Sequence, residues 1–391
     1  MKIPFYKPYF TGKELEYIRK IILNGKDIGG DGPYTKRVHK FLKSRYHVRN
    51  VLLTTSCTTA LEMAAQLLDL RDGDEVIMPS FTFSSTANAI LLHKGKVVFA
   101  EIDPKTLNID PSDIERKITK KTKAIVVVHY AGIACDMGAI MKIAKKHKLK
   151  VIEDAAQGIE AKWKNKYLGT IGDFGCISFH ETKNITSGEG GALFINTDDK
   201  AIIEKAEIIR EKGTNRSKFF RGEIDKYTWV EVGSSYLPSD ILAAFLLAQL
   251  EKVKKITDER RSIYSYYHKE LAHLEKQSLI QLPFIPPYAT HSAHIFYVLF
   301  RTKDERDMAM SSLQKNGVGA VFHYIPLHSA PQGMKLGYKK ADFPLTERVS
   351  GRILRLPIYS GMSKRESQFV MAELKKILKV LKVAPDKPWY Q

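Results

Sequence analysis

The stretches VIEDAAQG (151–158) and GDFGCISFHETKNITSGEGGAL (172–193) decide the fold. In the first, apolar Val151 and Ile152 run into Glu153, Asp154 and small residues, the pattern of a buried strand leaving its sheet. In the second, the short strand CISF enters a polar turn around Lys183, crosses a Gly-rich segment and resumes as a strand at 192–195. Outward from this pair, strand-like runs at 75–78, 97–102, 124–129 and 150–153 alternate with helix-period runs at 57–68 and 137–147. That alternation predicts an α/β fold with a parallel sheet wrapped by helices. Ligands in such sheets gather at the carboxyl ends of strands, so residues just after each strand carry the most weight.

Downstream, one long helical pattern covers 239–267, followed by the Pro-rich LPFIPPY (282–288), a strand at 294–301 and helices at 304–316 and 364–381. These predict a large domain over 1–250 and a smaller one over 251–391. Sixty-two basic against 43 acidic residues give a net charge of +19, a field that attracts anions. No basic run is interleaved with aromatics as a nucleic-acid platform requires, so no nucleic-acid partner is expected. The start, MKIPFYKPYF, lacks the apolar core of a secretory leader, and no apolar run approaches the ~18 residues of a membrane span. The expectation is a cytoplasmic protein without membrane insertion. Cys57, Cys135 and Cys176 are widely spaced, odd in number and without a CxxC pair, which predicts buried thiols and no metal site.

Three strings bear chemistry. Asp154 at a strand end needs a partner, because an unpaired buried charge is prohibitively costly; a helix cap or an ion pair satisfies it, and so does a protonated pyridine nitrogen. Lys183 lies 29 positions further on. It reads either as a surface lysine or as a desolvated amine, neutral and nucleophilic toward an aldehyde. In LLTTSCTTALEMAA (52–65) a strand passes through hydroxyl residues into an apolar helix; Ser56 and Thr58 there are N-cap types, and the helix start can also hold an anion. The clusters Gly29–Gly32 and Gly188–Gly191 match neither a P-loop nor a dinucleotide fingerprint and read as turns.

Taken together with GDGPYTKR (30–37), GDEVIMPSFTFSSTANA (73–89) and SFHETKN (178–184), these strings resemble, over essentially the whole chain, the DegT/DnrJ/EryC1/StrS family of sugar aminotransferases. The resemblance implies a pyridoxal-phosphate enzyme of fold type I, with a mixed, mostly parallel sheet between helices and a smaller C-terminal α+β domain. It makes Lys183 the Schiff-base lysine, Asp154 the pyridinium partner and Gln157 the partner of the ring hydroxyl. Ser56, Cys57, Thr58, Ser178, His180 and Ser235 fall at further cofactor positions, and Phe83 at the ring face. Lysine at 183 sets the chain apart from a branch that carries histidine there and dehydrates its sugar, and a regulator that had lost catalysis would lack Lys183 or Asp154.

HYAGIACDM (129–137), EKGTNRSKFFRGEIDKYTW (211–229), GSSYL (233–237) and VFHYIPLH (321–328) look most like the branch aminating TDP-4-keto-6-deoxyglucose with L-glutamate. A 3-keto sugar or another 4-keto nucleotide sugar is the alternative. His323 and Tyr324 would approach the substrate, although His323 reads equally as a structural histidine. Arg216, Arg221 and Lys212 are candidates for its diphosphate, or plain surface charges. Where much of the family reads G-x-N-Y-R, this chain has Ser235 and Leu237, so a contact the Asn makes to a neighbouring subunit's cofactor is in question. A homodimer with shared sites is implied.

Overall fold

The computed structural model describes residues 1–26 and 28–381. In chain order the strands are β1 (Asn50–Thr54), β2 (Glu75–Pro79), β3 (Lys96–Ala100), β4 (Thr122–Val128), β5 (Lys150–Asp154), β6 (Lys162–Trp163) and β7 (Lys166–Tyr167). They continue as β8 (Phe174–Ser178), β9 (Gly191–Ile195), β10 (Ile280–Gln281), β11 (Ala289–Thr290), β12 (Phe296–Phe300) and β13 (Ile353–Leu356). The main sheet has the order β1-β9-β8-β5-β4-β2-β3. Its strands are parallel except β9, which runs antiparallel to both β1 and β8. Helices cover both faces, and for this reason β2, β8 and β9 are buried at every residue and read as apolar runs rather than alternations.

β3 ends at Ala100, two residues short of the end of the run predicted at 97–102. The N–H of Glu101 donates to the Asp113 carboxylate at 2.6 Å instead of to a neighbouring strand. The helical pattern at 239–267 also needs correction, since it is two helices, Asp240–Leu250 and Val253–Lys276, broken at Glu251 and Lys252. The first is apolar almost all round and inserts into the core beside the main sheet. The second is amphipathic; Val253 and Ile256 at its start still pack in that first core, and from Ile263 onward it packs on a separate core with β10, β12 and β13. Glu251 at the break is held by the Tyr17 hydroxyl at 2.9 Å and by Lys13 at 3.4 Å. This second core also takes in Ile3, whose N–H donates to the Gly317 carbonyl at 2.7 Å.

Two glycines read as turn residues turn out to be close approaches. A Cβ on Gly32 would lie 2.6 Å from the Asp240 carboxylate, which caps the helix Pro33–Tyr46 by accepting from the N–H groups of Tyr34 and Thr35 at 3.0 and 2.7 Å. A Cβ on Gly191 would lie 2.3 Å from the carbonyl carbon of Ser56. Gly191→Ala is therefore expected to push the helix start at Ser56 out of place, destabilising the chain by about 1–3 kcal/mol. A fluorescence titration with pyridoxal phosphate, beside a thermal melt, should show weaker binding as well; unchanged affinity would mean that this contact does not position the site.

Candidate active site

One cavity of about 390 Å³ opens at the carboxyl ends of the central strands, and residues from each of the strings at 52–65, 73–89, 151–158 and 172–193 line it. Ser56, Cys57 and Thr58 come from the turn after β1, Asp154 and Gln157 from the end of β5, Ser178 and His180 from the end of β8, and Lys183 from the loop between β8 and β9. Phe83, from the turn after β2, and Tyr324 close one side, their ring centroids 6.1 Å apart.

Asp154 is buried. One carboxylate oxygen accepts from the Thr86 hydroxyl at 2.8 Å and the other from the Ala156 N–H at 3.2 Å. No basic side chain among the described residues lies within ion-pair distance of it, and burial pushes its carboxyl above the usual range. A buried carboxylate with two neutral donors and no cation is suited to a cationic ring nitrogen entering the cavity. Lys183 has no carboxylate within ion-pair distance among the described residues, and burial holds its amine below the ordinary lysine value, against the pull of Cys57 and Asp154. That favours the neutral, nucleophilic amine.

At the far end Ser56 caps the helix Cys57–Leu67. Its hydroxyl accepts from the Thr59 N–H at 3.1 Å, and the Thr59 side chain returns a bond to the Ser56 N–H at 3.1 Å. The cap engages two of the four N–H groups that a helix start leaves without intrahelical partners, those of Ser56 and Thr59, and leaves those of Cys57 and Thr58. The Thr58 hydroxyl meets that of Ser85 at 2.8 Å. Free N–H groups, two hydroxyls and the positive helix end make a cradle for a phosphate. Gln157 spends its carbonyl on the Ala131 N–H at 2.7 Å, so its NH₂ points as a donor toward the Tyr324 hydroxyl at 3.2 Å. A ring hydroxyl or oxide there would be recognised. The residues present thus fit pyridoxal phosphate at three points: amine, carboxylate and anion cradle.

Other predicted residues stand elsewhere. His323 is fully buried behind the cavity, its ring 3.7 Å from that of Tyr324 and 5.1 Å from that of Tyr130, with neither ring nitrogen hydrogen-bonded. Ser235 is exposed and bridges to Glu211, outside the cavity. Arg216 and Arg221 do not reach the cavity of their own chain. Arg216 pairs with Glu211 at 3.4 Å over the Phe220 ring, and Arg221 with Glu207 and Glu223 at 2.8 and 2.6 Å. Neighbouring carboxylates account for both, and Lys212 beside them is exposed.

The structure also brings in residues the sequence did not single out. Glu153, next to Asp154 but on the other side of the strand, accepts from the N–H groups of Gly169, Ile171 and Gly172 at 2.6–2.8 Å and bonds His129 Nε2 at 2.9 Å. Because His129 Nδ1 accepts from the Cys135 N–H at 3.2 Å, the ring proton sits on Nε2. Glu153→Gln would turn an amide NH₂ toward backbone donors, at a cost of about 3–5 kcal/mol. A clear fall in the unfolding midpoint is the expected calorimetric result, and no change would refute this bonding scheme. Tyr6, Arg260 and Arg355 line the cavity too. A long-range return of the chain brings each of them there, and no local motif marked them.

An amine and a carboxylate poised across a cavity that ends in an anion cradle, at the strand ends of a mixed α/β sheet, define a pyridoxal-phosphate aminotransferase of fold type I. The chain belongs to the DegT/DnrJ/EryC1/StrS aminotransferase family, whose model matches residues 9–375. It is 38% identical over 354 residues to the uncharacterized protein MJ1066 of Methanocaldococcus jannaschii, covering 89% of this chain and 90% of that one. It is 32% identical over 369 residues to GDP-perosamine synthase of Escherichia coli O157:H7, covering 94% and 96%. In structure it is similar to the aminotransferase TlmJ of Streptoalloteichus hindustanus, with a TM-score of 0.89 at 27% identity, over 97% of this chain and all of that one. The enzyme is thus a sugar aminotransferase that uses pyridoxal phosphate.

Proposed function

We propose that this aminotransferase converts a nucleotide-diphosphate 4-keto-6-deoxy sugar, TDP-4-keto-6-deoxyglucose, to TDP-4-amino-4,6-dideoxygalactose with L-glutamate as amino donor, in the cytoplasm and as a homodimer. The observation that carries the reading is the meeting of Lys183, Asp154, Gln157, Ser178 and the helix start at Cys57 in one cavity. Bound there, pyridoxal phosphate supplies an electron sink for the carbon that loses its proton. Asp154 holds a proton on the ring nitrogen, Gln157 orients the ring, the Cys57–Thr58 turn anchors the phosphate, and the Lys183 amine moves the proton at the reacting carbon. The positive charge of the chain suits two phosphorylated ligands.

The choice of sugar rests on the stretches at 129–137, 211–229, 233–237 and 321–328. A GDP-linked 4-keto sugar is the second reading, supported by relatives named GDP-perosamine synthase at 32% identity. Exposed Phe220, Trp229 and Val232, at 66%, 72% and 66%, support a face for a second subunit. No helix among the described residues is long and apolar enough to cross a membrane. An absorbance titration tests the reading. L-glutamate should bleach the band of the lysine-bound cofactor, and TDP-4-keto-6-deoxyglucose should restore it. Restoration only by the 4-keto precursor of GDP-perosamine would transfer the assignment to that sugar, and no bleaching by L-glutamate would remove the donor.

A further inference from the structure

His294 lines the cavity two residues before β12 begins. Its backbone carbonyl accepts from a terminal nitrogen of Arg260 at 2.8 Å. The protonation of its ring follows from a chain of bonds that has only one possible sense. The Ser292 carbonyl can only accept, so the Asn184 side chain turns its NH₂ there, at 2.8 Å, and its oxygen toward His294 Nδ1, at 3.1 Å. That oxygen can only accept as well, so Nδ1 carries the ring proton. Burial holds the ring well below the ordinary histidine value and keeps it neutral, which leaves Nε2 as a bare lone pair. Nε2 has no hydrogen-bond partner among the described residues, and it is not sealed in the core as both ring nitrogens of His323 are.

An uncharged acceptor facing a cavity discriminates among the molecules that enter it. Two substrates use this cavity in turn. An α-amino acid offers carboxylate oxygens, which only accept, and its one donor is the amino group that the reaction removes. A 4-keto-6-deoxyhexose joined through C1 is different, because it keeps hydroxyls at C2 and C3 and both can donate. A bare Nε2 lone pair therefore favours the sugar and disfavours the carboxylate, whereas a doubly protonated ring would do the reverse. Asn184, the residue after Lys183, sets which nitrogen is bare, so the loop that carries the reacting amine also fixes the character of this wall.

We propose that His294 Nε2 accepts a hydrogen bond from a ring hydroxyl of the keto sugar and so serves the sugar half of the reaction alone. The proposal rests on the reading of a 4-keto-6-deoxy sugar as substrate. The test follows the cofactor band of the holoenzyme through the two halves separately. L-glutamate bleaches it, and it is restored by TDP-4-keto-6-deoxyglucose or by the 4-keto precursor of GDP-perosamine, whichever serves the wild type. His294→Phe should raise the half-saturating sugar concentration by about 10- to 10²-fold, while cofactor content and half-saturation by L-glutamate stay within about twofold. His294→Gln, whose NH₂ can bond Asn184 while its carbonyl faces the cavity, should recover most of the loss, which a role in packing alone does not predict. Equal losses in the two variants, or a loss that falls on the L-glutamate half as well, would overturn the proposal. If neither sugar restores the wild-type band, the substrate reading falls and takes the proposal with it; restoration of the wild-type and His294→Phe bands at the same sugar concentration strikes the proposal alone.

Discussion

Lys183→Ala should show no lysine-bound cofactor band and should lose at least about 10³-fold in transamination rate, the amine being both the attachment point and the group that moves the proton. The lysine is held by its loop, whose N–H at 183 donates to the His180 carbonyl at 2.9 Å, so the cavity should keep its shape without the side chain. The variant should therefore still take up pyridoxal phosphate non-covalently, releasing it on gel filtration. Added alkylamines should recover a measurable fraction of the rate by replacing the missing base. A variant that kept the band would show that another amine holds the cofactor and would end the assignment of Lys183.

Asp154→Asn should produce a crossover. In the holoenzyme the carboxylate faces a cation, and its loss should cost about 3–5 kcal/mol, or between ~10² and ~5 × 10³-fold in rate. In the cofactor-free chain the same carboxylate is a burden. Its folded pKa is raised by burial, so the stability it lends is full below the ordinary aspartate value of ~3.9 and is lost as pH rises through the raised value. At neutral pH the cofactor-free Asp154→Asn chain should accordingly melt no lower than wild type, and the difference should narrow on acidification. With pyridoxal phosphate bound, the order should reverse. Calorimetry with and without cofactor at two pH values reads this directly, and a variant less stable in both states would show that Asp154 serves the fold rather than the ring.

Much of this was legible because the chemistry sits at strand ends that the sequence marks. Asp154 follows an apolar run, Lys183 a short strand, and Thr58 a strand feeding a helix, and sheet geometry then gathers them. Residues whose function depends on distant partners were not legible. Glu153 looks like a second acid beside Asp154, and only its alternation to the other side of β5 delivers it to the N–H groups of 169–172 and to His129. Arg355 lies in a stretch, ILRLP, whose local pattern says strand and nothing more. Arg216 and Arg221 were marked by charge, but charge does not reveal that Glu207, Glu211 and Glu223 stand beside them. The apolar pattern at 239–267 gave no sign of its break, because residues on both sides of Glu251, among them Leu250, Val253 and Ile256, are apolar and pack in one core.

The ladder between β1 and β9, which pairs Thr54 with Gly191 and Asn50 with Ile195, has a bearing on the order of events during synthesis. The phosphate cradle begins just after one strand and the lysine loop ends just before the other, so the two ends of the cofactor site are joined across roughly a third of the polypeptide. Contacts of such separation form late, since the entropy of closing the intervening chain must be met first. A nascent chain still lacking the segment up to Ile195 has neither the lysine loop closed nor its edge strand paired. Cofactor loading therefore comes after most of the main sheet has left the ribosome, and pyridoxal phosphate stabilises a finished pocket rather than guiding the early steps of folding.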